Sequence, residues 1–253
     1  MPAYNSEKYI AQAIESVINQ THTNWELLII DDFSTDGTKE IIEKFSLNDD
    51  RIQPIFRKEN SGKPSIAKNS AFEFVRGDYI AFLDSDDLWL PDKLEKQLQL
   101  MQHYEYALCY TGGYYINENS VNIGHFLPKY TNGNIFRNML LRYEINNQSV
   151  LIKRSFFAKF NEDVTIGEDY NLFMNIVLNH KVCNIKEKLI KYRVHTLSIT
   201  KNKTKDLSQG TLVTLAELDK KFNILKKYPL PYFISWLRAS RFKLYLYISK
   251  NYR

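Results

Sequence analysis

Three carboxylates within four residues, Asp84-Ser85-Asp86-Asp87, follow the apolar run Tyr79–Leu83 without a gap. Carboxylates this close repel one another unless a cation or hydrogen-bond donors compensate. Hard oxygen ligands in a loop suit Mg²⁺ or Mn²⁺, which bridge to substrate phosphates. The plainer alternative is a solvated acidic turn, with Asp87 or Asp92 capping the next helix. A second acidic pair, Asp31-Asp32, ends another apolar run, Trp25–Ile30. Its plain reading is capping of the turn that follows.

These clusters need elements to position them. Asn5 or Ser6 can cap a helix whose apolar positions Tyr9, Ile10, Ala13, Ile14, Val17 and Ile18 keep a 3.6-residue period. Strands are expected at 25–30, 51–57 and 78–83, and helices at 38–45 and 65–75. Pro91 suits the first position of a helix carrying Leu94, Leu98 and Met101. Apolar strands alternating with helices call for a parallel sheet covered on both faces. Ligands of such sheets bind beyond the carboxyl ends of the strands, where both acidic clusters lie. Further on, strands are expected at 107–115, 149–152 and 182–192, and helices at 135–141 and 169–180. From Lys201 the pattern becomes a Lys-rich helix, broken by Pro229 and Pro231, then an aromatic helix.

Composition removes several classes. The 253 residues carry a net charge of +5, with 44% hydrophobic and 25% charged residues, ordinary for a globular protein. Residues 1–200 hold 22 basic and 26 acidic side chains, a net of −4, whereas 201–253 hold 12 and 3, a net of +9. The positive excess is thus confined to the last fifth. Two cysteines, Cys109 and Cys183, show no metal spacing and read as buried free thiols. No apolar run approaches the roughly 20 residues of a membrane span. No signal peptide pattern opens the sequence, so a cytoplasmic protein is expected.

Pro2-Ala3-Tyr4-Asn5, Asp31–Thr38, Asn60-Ser61-Gly62 with Ala67-Lys68-Asn69, Asp84–Asp87, Gly167-Glu168-Asp169 and Tyr192-Arg193-Val194-His195 occur in that order. The ordered series resembles the family 2 glycosyltransferases of the GT-A fold over about residues 1–199. The resemblance implies an α/β fold with a mostly parallel central sheet flanked by helices and a helical C-terminal extension. Residues 1–199 would form the catalytic domain, 1–100 binding nucleotide and 101–199 acceptor, with 200–253 a basic aromatic extension. It implies an inverting transfer from a nucleotide-sugar, a UDP-sugar by preference, to a saccharide or lipid-linked acceptor in bacterial lipopolysaccharide, capsule or exopolysaccharide synthesis.

Site roles carry over residue by residue. Pro2, Ala3 and Tyr4 would line the base pocket, with Asp32 or Asp31 accepting from the base imide. Asn60, Gly62, Lys68 and Ser85 would belong to the nucleotide-sugar site, and Asp84 would approach the ribose. Asp86 and His195 would hold Mg²⁺ or Mn²⁺ on the diphosphate. Asp169 matches the catalytic base and Glu168 its supporting acid. Two positions depart from the pattern. Lys68 stands where arginine is common, keeping charge but losing the bidentate fork, and Phe33 stands where glycine is frequent. The first strand is also barely begun at Met1, and a natural start upstream of Met1 is expected.

Other readings compete. A GT-A-like nucleotide-sugar-binding protein with impaired turnover would keep the same acids. A haloacid-dehalogenase-type phosphatase also places Asp-x-Asp after an apolar strand, but Leu88 stands where it needs Thr or Val. The aromatic and basic residues of 232–253 point to packing or peripheral contact with the inner face of the cytoplasmic membrane, not to nucleic acid, because Arg238, Arg241 and Lys243 spread around the helix.

Overall fold

A computed structural model describes residues 1–164, 166–194 and 204–251, with side chains described for all of these except 204–207 and 241–251. The amino-terminal part is built on a three-stranded parallel sheet, β1 (Pro2–Ala3), β2 (Leu27–Asp31) and β3 (Ile52–Phe56), in the order β1-β2-β3. Helix α1 (Ile10–Ile18) joins β1 to β2, and α2 (Thr38–Asn48) joins β2 to β3. In α1 the buried residues Ile10, Ala13, Ile14 and Val17 recur at helical spacing and face β2 residues Leu27 and Ile29 in one core. Burying one such Ile or Val stabilises the fold by roughly 1.5–3 kcal/mol. Helix α3 (Pro64–Ser70) follows β3, with Pro64 in its first turn.

The second sheet is mixed. Strands β4 (Tyr79–Ala81), β8 (Leu151–Lys153), β6 (Leu108–Ile116), β9 (Val182–Arg193) and β5 (Leu88–Trp89) lie in that order, with β7 (Asn122–Phe126) on β6. The β6–β9 pair is parallel and the others antiparallel. A cavity of about 660 Å³ lies between the sheets, lined by Met1, Leu28 and Ile30 on one side and Tyr79, Ala81 and Leu83 on the other.

Helices α4 (Lys93–His103), α5 (Phe136–Leu141) and α6 (Glu168–Asn179) complete the body. Helices α7 (Thr204–Phe222), α8 (Ile224–Lys227) and α9 (Pro229–Asn251) follow. Leu215, Leu218 and Ile224 are buried with Phe173, Met174 and Val177 of α6, so α7 and α8 complete the core of the body. Cys109 and Cys183 are buried free thiols, opposite one another on β6 and β9.

The sequence expectations shift at element ends. Helix α1 starts at Ile10, because Ser6 accepts from Tyr9 N and Ile10 N in a preceding turn and neither Asn5 nor Ser6 is its N-cap. Pro91 lies before α4, not at its first position, and Asp92 is the N-cap residue, without a side-chain cap bond. Pro229 and Pro231 separate the Lys-rich helices α7 and α8 from the aromatic helix α9, as expected. They occupy the first turn of α9, where a missing N–H costs no helical hydrogen bond. Strands β5 and β7 had no sequence signal: β5 has two residues, and β7 is largely exposed.

Candidate active site

The acidic turn 84–87 is held from below by Arg193, the last residue of β9. Arg193 is 1% exposed and donates its backbone N–H to Asp87 Oδ1 (2.6 Å) and its Nε to Asp86 O (2.8 Å). Its remaining nitrogens reach Asn117 O, Ser120 Oγ and Gln12 Oε1, and its guanidinium lies 4.3 Å from the Tyr9 ring centre. Asp87 N closes the turn on Asp84 O (3.1 Å). Asp87 is therefore an anchor of the turn and not a helix cap. Burial, with Asp86 and Asp84 beside it, pushes its carboxyl well above the usual carboxylate range, and Arg193 opposes this.

Helix α6 brings two further acids to the same place. Gly167, at φ +90°, turns the chain into the helix, so Glu168 and Asp169 open its first turn. Acids in that position are favoured by the helix dipole. Glu168 Oε1 accepts from Lys68 Nζ at 2.9 Å, and both side chains are less than a tenth exposed. Burial alone would lower the Lys68 pKa, but Glu168, Asp84 and Asp169 together raise it. Asp84 is pushed up to about 6, first by burial, then by Asp86, Glu168 and Asp169, with Lys68 opposing. Asp169 is likewise raised, by burial and by Glu168, while Tyr170 N donates to its Oδ1 at 2.8 Å. Glu168, Asp84 and Asp169 thus surround the Lys68 ammonium, with Asp86 beside Asp84.

A third group lies at the carboxyl end of β2. Asp32 pairs with Arg57 Nε (2.8 Å) and accepts from Ser61 N (3.0 Å) and Ser61 Oγ (2.7 Å). Asn60 Nδ2 donates to Asp32 O (3.0 Å), and Asn60 Oδ1 accepts from Gly62 N (2.7 Å) with Gly62 at φ +67°. Asp31 accepts from Ser34 Oγ and Ser34 N, a local turn bond. Pro2 and Ala3 pair with Ile30 and Asp31, which leaves the Tyr4 side chain half exposed beside them. Ser6 Oγ meets Ser85 Oγ at 2.7 Å, tying this group to the acidic turn.

The structure therefore brings Lys68, Asp84, Asp86, Glu168 and Asp169 together, with Pro2, Ala3, Tyr4, Asp31, Asp32, Asn60 and Gly62 forming a neighbouring group linked through Ser85. His195 lies outside the described residues. Among the described residues, no three or more of His, Cys, Asp and Glu are grouped to hold a metal ion. The donor set nonetheless fits a hard divalent cation, because carboxylate oxygens of Asp84 and Asp86 lie in a net negative cluster, and Mg²⁺ binds through one or two carboxylates plus ligand oxygens. Sequence reasoning gave no role to Arg57, Arg193 or Gln148. Arg193 has only its place in the Tyr192-Arg193-Val194-His195 series as a signal. Gln148, which donates from Nε2 to Asp84 Oδ2, has no such signal in Asn146-Asn147-Gln148.

Comparison with known proteins is consistent across sequence and structure. Residues 1–161 match the family model described as glycosyl transferase family 2. A putative teichuronic acid biosynthesis glycosyltransferase of Bacillus subtilis, TuaG, is 47% identical over 111 residues, 44% of this chain and 44% of that protein. The chain thus matches less than half the length of that relative. An Escherichia coli UDP-Glc:α-D-GlcNAc-diphosphoundecaprenol β-1,3-glucosyltransferase, WfgD, is 35% identical over 213 residues, 83% of this chain and 81% of that one. Among solved structures, residues 1–349 of Staphylococcus aureus TarS with UDP-GlcNAc superpose with a TM-score of 0.75 at 19% identity, covering 94% of this chain and 77% of that one. A likeness at that identity speaks for the fold, which is GT-A.

Proposed function

The chain belongs to glycosyl transferase family 2, and from that premise we propose that it transfers a sugar from a nucleotide-sugar to a hydroxyl acceptor with inversion. The observation that carries this reading is the enclosed cluster of Asp84, Asp86, Glu168 and Asp169 around Lys68. A diphosphate leaving group gathers negative charge as the glycosidic bond breaks. An enclosed cation stabilises such developing charge more strongly than water does. Asp86, with His195, would hold the Mg²⁺ or Mn²⁺ that neutralises diphosphate charge when bound.

Asp169 is the general base. Burial raises its pKa, which makes its carboxylate a stronger proton acceptor for an attacking hydroxyl. The acceptor oxygen bonds to the anomeric carbon as its proton passes to Asp169 Oδ, and the bond to the diphosphate oxygen breaks on the opposite face. One displacement inverts the anomeric carbon. Glu168 keeps Lys68 in place at 2.9 Å, and Lys68 in turn offsets the charges of Asp84 and Asp169. Asp84 meets the ribose, beside Ser85. Pro2, Ala3, Tyr4, Asp31, Asp32, Asn60 and Gly62 form the base side. Asp32 is tied to Arg57 and Ser61, so its role there is to shape the loop 57–62 as well as to meet the imide.

The donor is a UDP-sugar and the acceptor a saccharide or lipid-linked sugar of a bacterial surface polysaccharide. WfgD, a UDP-Glc:α-D-GlcNAc-diphosphoundecaprenol glucosyltransferase, supports the donor and the lipid-linked acceptor, and TuaG, of teichuronic acid biosynthesis, supports the surface polysaccharide. Residues 1–100 serve the nucleotide, 101–199 the acceptor, and within the extension 200–253, whose α7 and α8 pack on the body, α9 meets the inner face of the cytoplasmic membrane. Exposed Leu230, Phe233 and Trp236 on α9, beside Lys226 and Lys227, support that contact. No helix among the described residues is long and apolar enough to cross a membrane. Screening nucleotide-sugars for metal-dependent release of nucleoside diphosphate tests the reading. Release with a UDP-sugar, lost in Asp86→Ala, is expected; full release from the Asp86→Ala variant overturns the role given to Asp86.

A further inference from the structure

Behind the acidic turn lies a set of buried polar side chains that the chemistry above does not use. Lys93 is fully buried, and its ammonium donates to Gln97 Oε1 (2.8 Å) and Val150 O (3.3 Å). It lies 4.2 Å from the ring centre of Trp89. Gln97, also fully buried, donates from Nε2 to Ser149 O (2.9 Å) and Cys109 O (3.1 Å). Trp89 Nε1 donates to Gln148 O (3.0 Å). Three successive carbonyls, those of 148, 149 and 150, are each held by a buried side chain from one short stretch, 89–97. Asn146 closes the turn from the other side, accepting from Gln148 N (3.0 Å) and, through its carbonyl, from Ser149 Oγ (2.7 Å).

A buried lysine with no carboxylate partner is a costly way to fill a core, and burial pushes Lys93 down to about 7. An apolar residue would fill the volume but leave Val150 O and Gln97 Oε1 without a donor, and unmet buried acceptors are expensive. The bracket fixes one outward-reaching group. Gln148 is 2% exposed, and its amide donates to Asp84 Oδ2. Asp84 sits between the like charges of Asp86, Glu168 and Asp169 and the opposing charge of Lys68, so a neutral donor on one oxygen fixes its orientation without changing the charge of the cluster. Segment 84–97 thus carries the acid at one end and the groups that brace its partner at the other.

We propose that Gln148 is a positioning residue for donor binding: held by Trp89, Lys93 and Gln97, it orients Asp84 toward the ribose of the nucleotide. This inference rests on the glycosyltransferase reading, through the role given there to Asp84. The test uses the full chain as wild type, Gln148→Ala, Gln148→Glu and Lys93→Met. Initial rates are measured against UDP-sugar with Mn²⁺, UDP binding is titrated separately, and thermal melts are recorded for each. A lost hydrogen bond to a charged group corresponds to about a tenfold effect. Gln148→Ala should therefore raise donor KM and UDP Kd about tenfold, with kcat within about threefold and an unchanged melt. Gln148→Glu, which adds a carboxylate, should weaken both further. Lys93→Met should raise KM by a smaller factor, about threefold, because it loosens the bracket without removing the amide.

Unchanged KM and Kd in Gln148→Ala overturn the inference, as does a lower melt with unchanged KM, the mark of a purely structural role. If wild type binds UDP but releases none from any sugar, the transfer reading fails while the Kd comparison still decides Gln148. If wild type binds no UDP, both fall.

Discussion

Replacing Lys68 by methionine removes a buried ammonium from among Asp84, Glu168 and Asp169. The Lys68–Glu168 pair is 2.9 Å long, with side chains 7% and 9% exposed, so solvent screens it little. Removing one partner from a buried pair leaves an uncompensated charge and costs about 3–5 kcal/mol. Here the Asp84 and Asp169 carboxylates also lose the Lys68 charge that opposes their raised pKa, which sets the expectation at the upper end. The double variant Lys68→Met/Glu168→Gln removes both charges and should recover about half of the loss. With a urea m-value of about 2–3 kcal/mol/M, Lys68→Met should lower the unfolding midpoint by about 1.5–2 M. Urea unfolding followed by tryptophan fluorescence, run on wild type, both single variants and the double variant, gives the coupling energy directly. A loss under 1 kcal/mol for Lys68→Met, or strictly additive effects in the double variant, refutes the view of Lys68 as the charge keystone of the site.

Other consequences concern single residues. Lys93 has a folded pKa of about 7, below its unfolded value, so the unfolded chain binds a proton the native chain lacks between about pH 7 and 10. Stability should thus rise with pH there, by up to about 1.4 kcal/mol per unit from this group; Lys93→Met should flatten the slope in denaturant titrations at pH 7, 8 and 9. Phe33 sits at φ +67° and is half exposed. Phe33→Gly relieves about 1–2 kcal/mol of left-handed strain against a smaller entropic loss, so a melting temperature equal to or above wild type is expected. A side-chain carbon on Gly210 would lie 2.0 Å from Ile166 O. Gly210→Ala should push α7 off the loop that enters α6, costing about 1–3 kcal/mol and most of the activity; wild-type rates and melting would contradict this.

The sequence carried the strand ends well because both acidic clusters follow continuous apolar runs, and β2 and β4 are where those runs fall. Helix α6 was legible as a helical stretch at 169–180, within a residue of its ends at Glu168 and Asn179. What stayed hidden depends on side chains meeting across long separations. Lys68 and Glu168 are a hundred residues apart, and Gln148 meets Asp84 across 64. Arg193 was visible only as one letter of a motif, and its grip on Asp86 and Asp87 needed β9 to end beside the acidic turn. Strands β5 and β7 failed for a different reason: one is too short for a period and the other too exposed to show one. Pro229 and Pro231 marked the boundary between the Lys-rich and aromatic helices because proline breaks a helix interior but is at home in a first turn.

A single displacement with Asp169 as base fixes the anomeric configuration of the first product, which can be observed before mutarotation. Water can stand in for the acceptor, so time-resolved proton NMR of an α-linked UDP-hexose with the chain and Mn²⁺ suffices. The β-anomer is expected to appear first and to equilibrate later, and Asp169→Asn, which keeps the shape but cannot accept the proton, is expected to show neither. First appearance of the α-anomer, or a wild-type rate from Asp169→Asn, would contradict the single displacement.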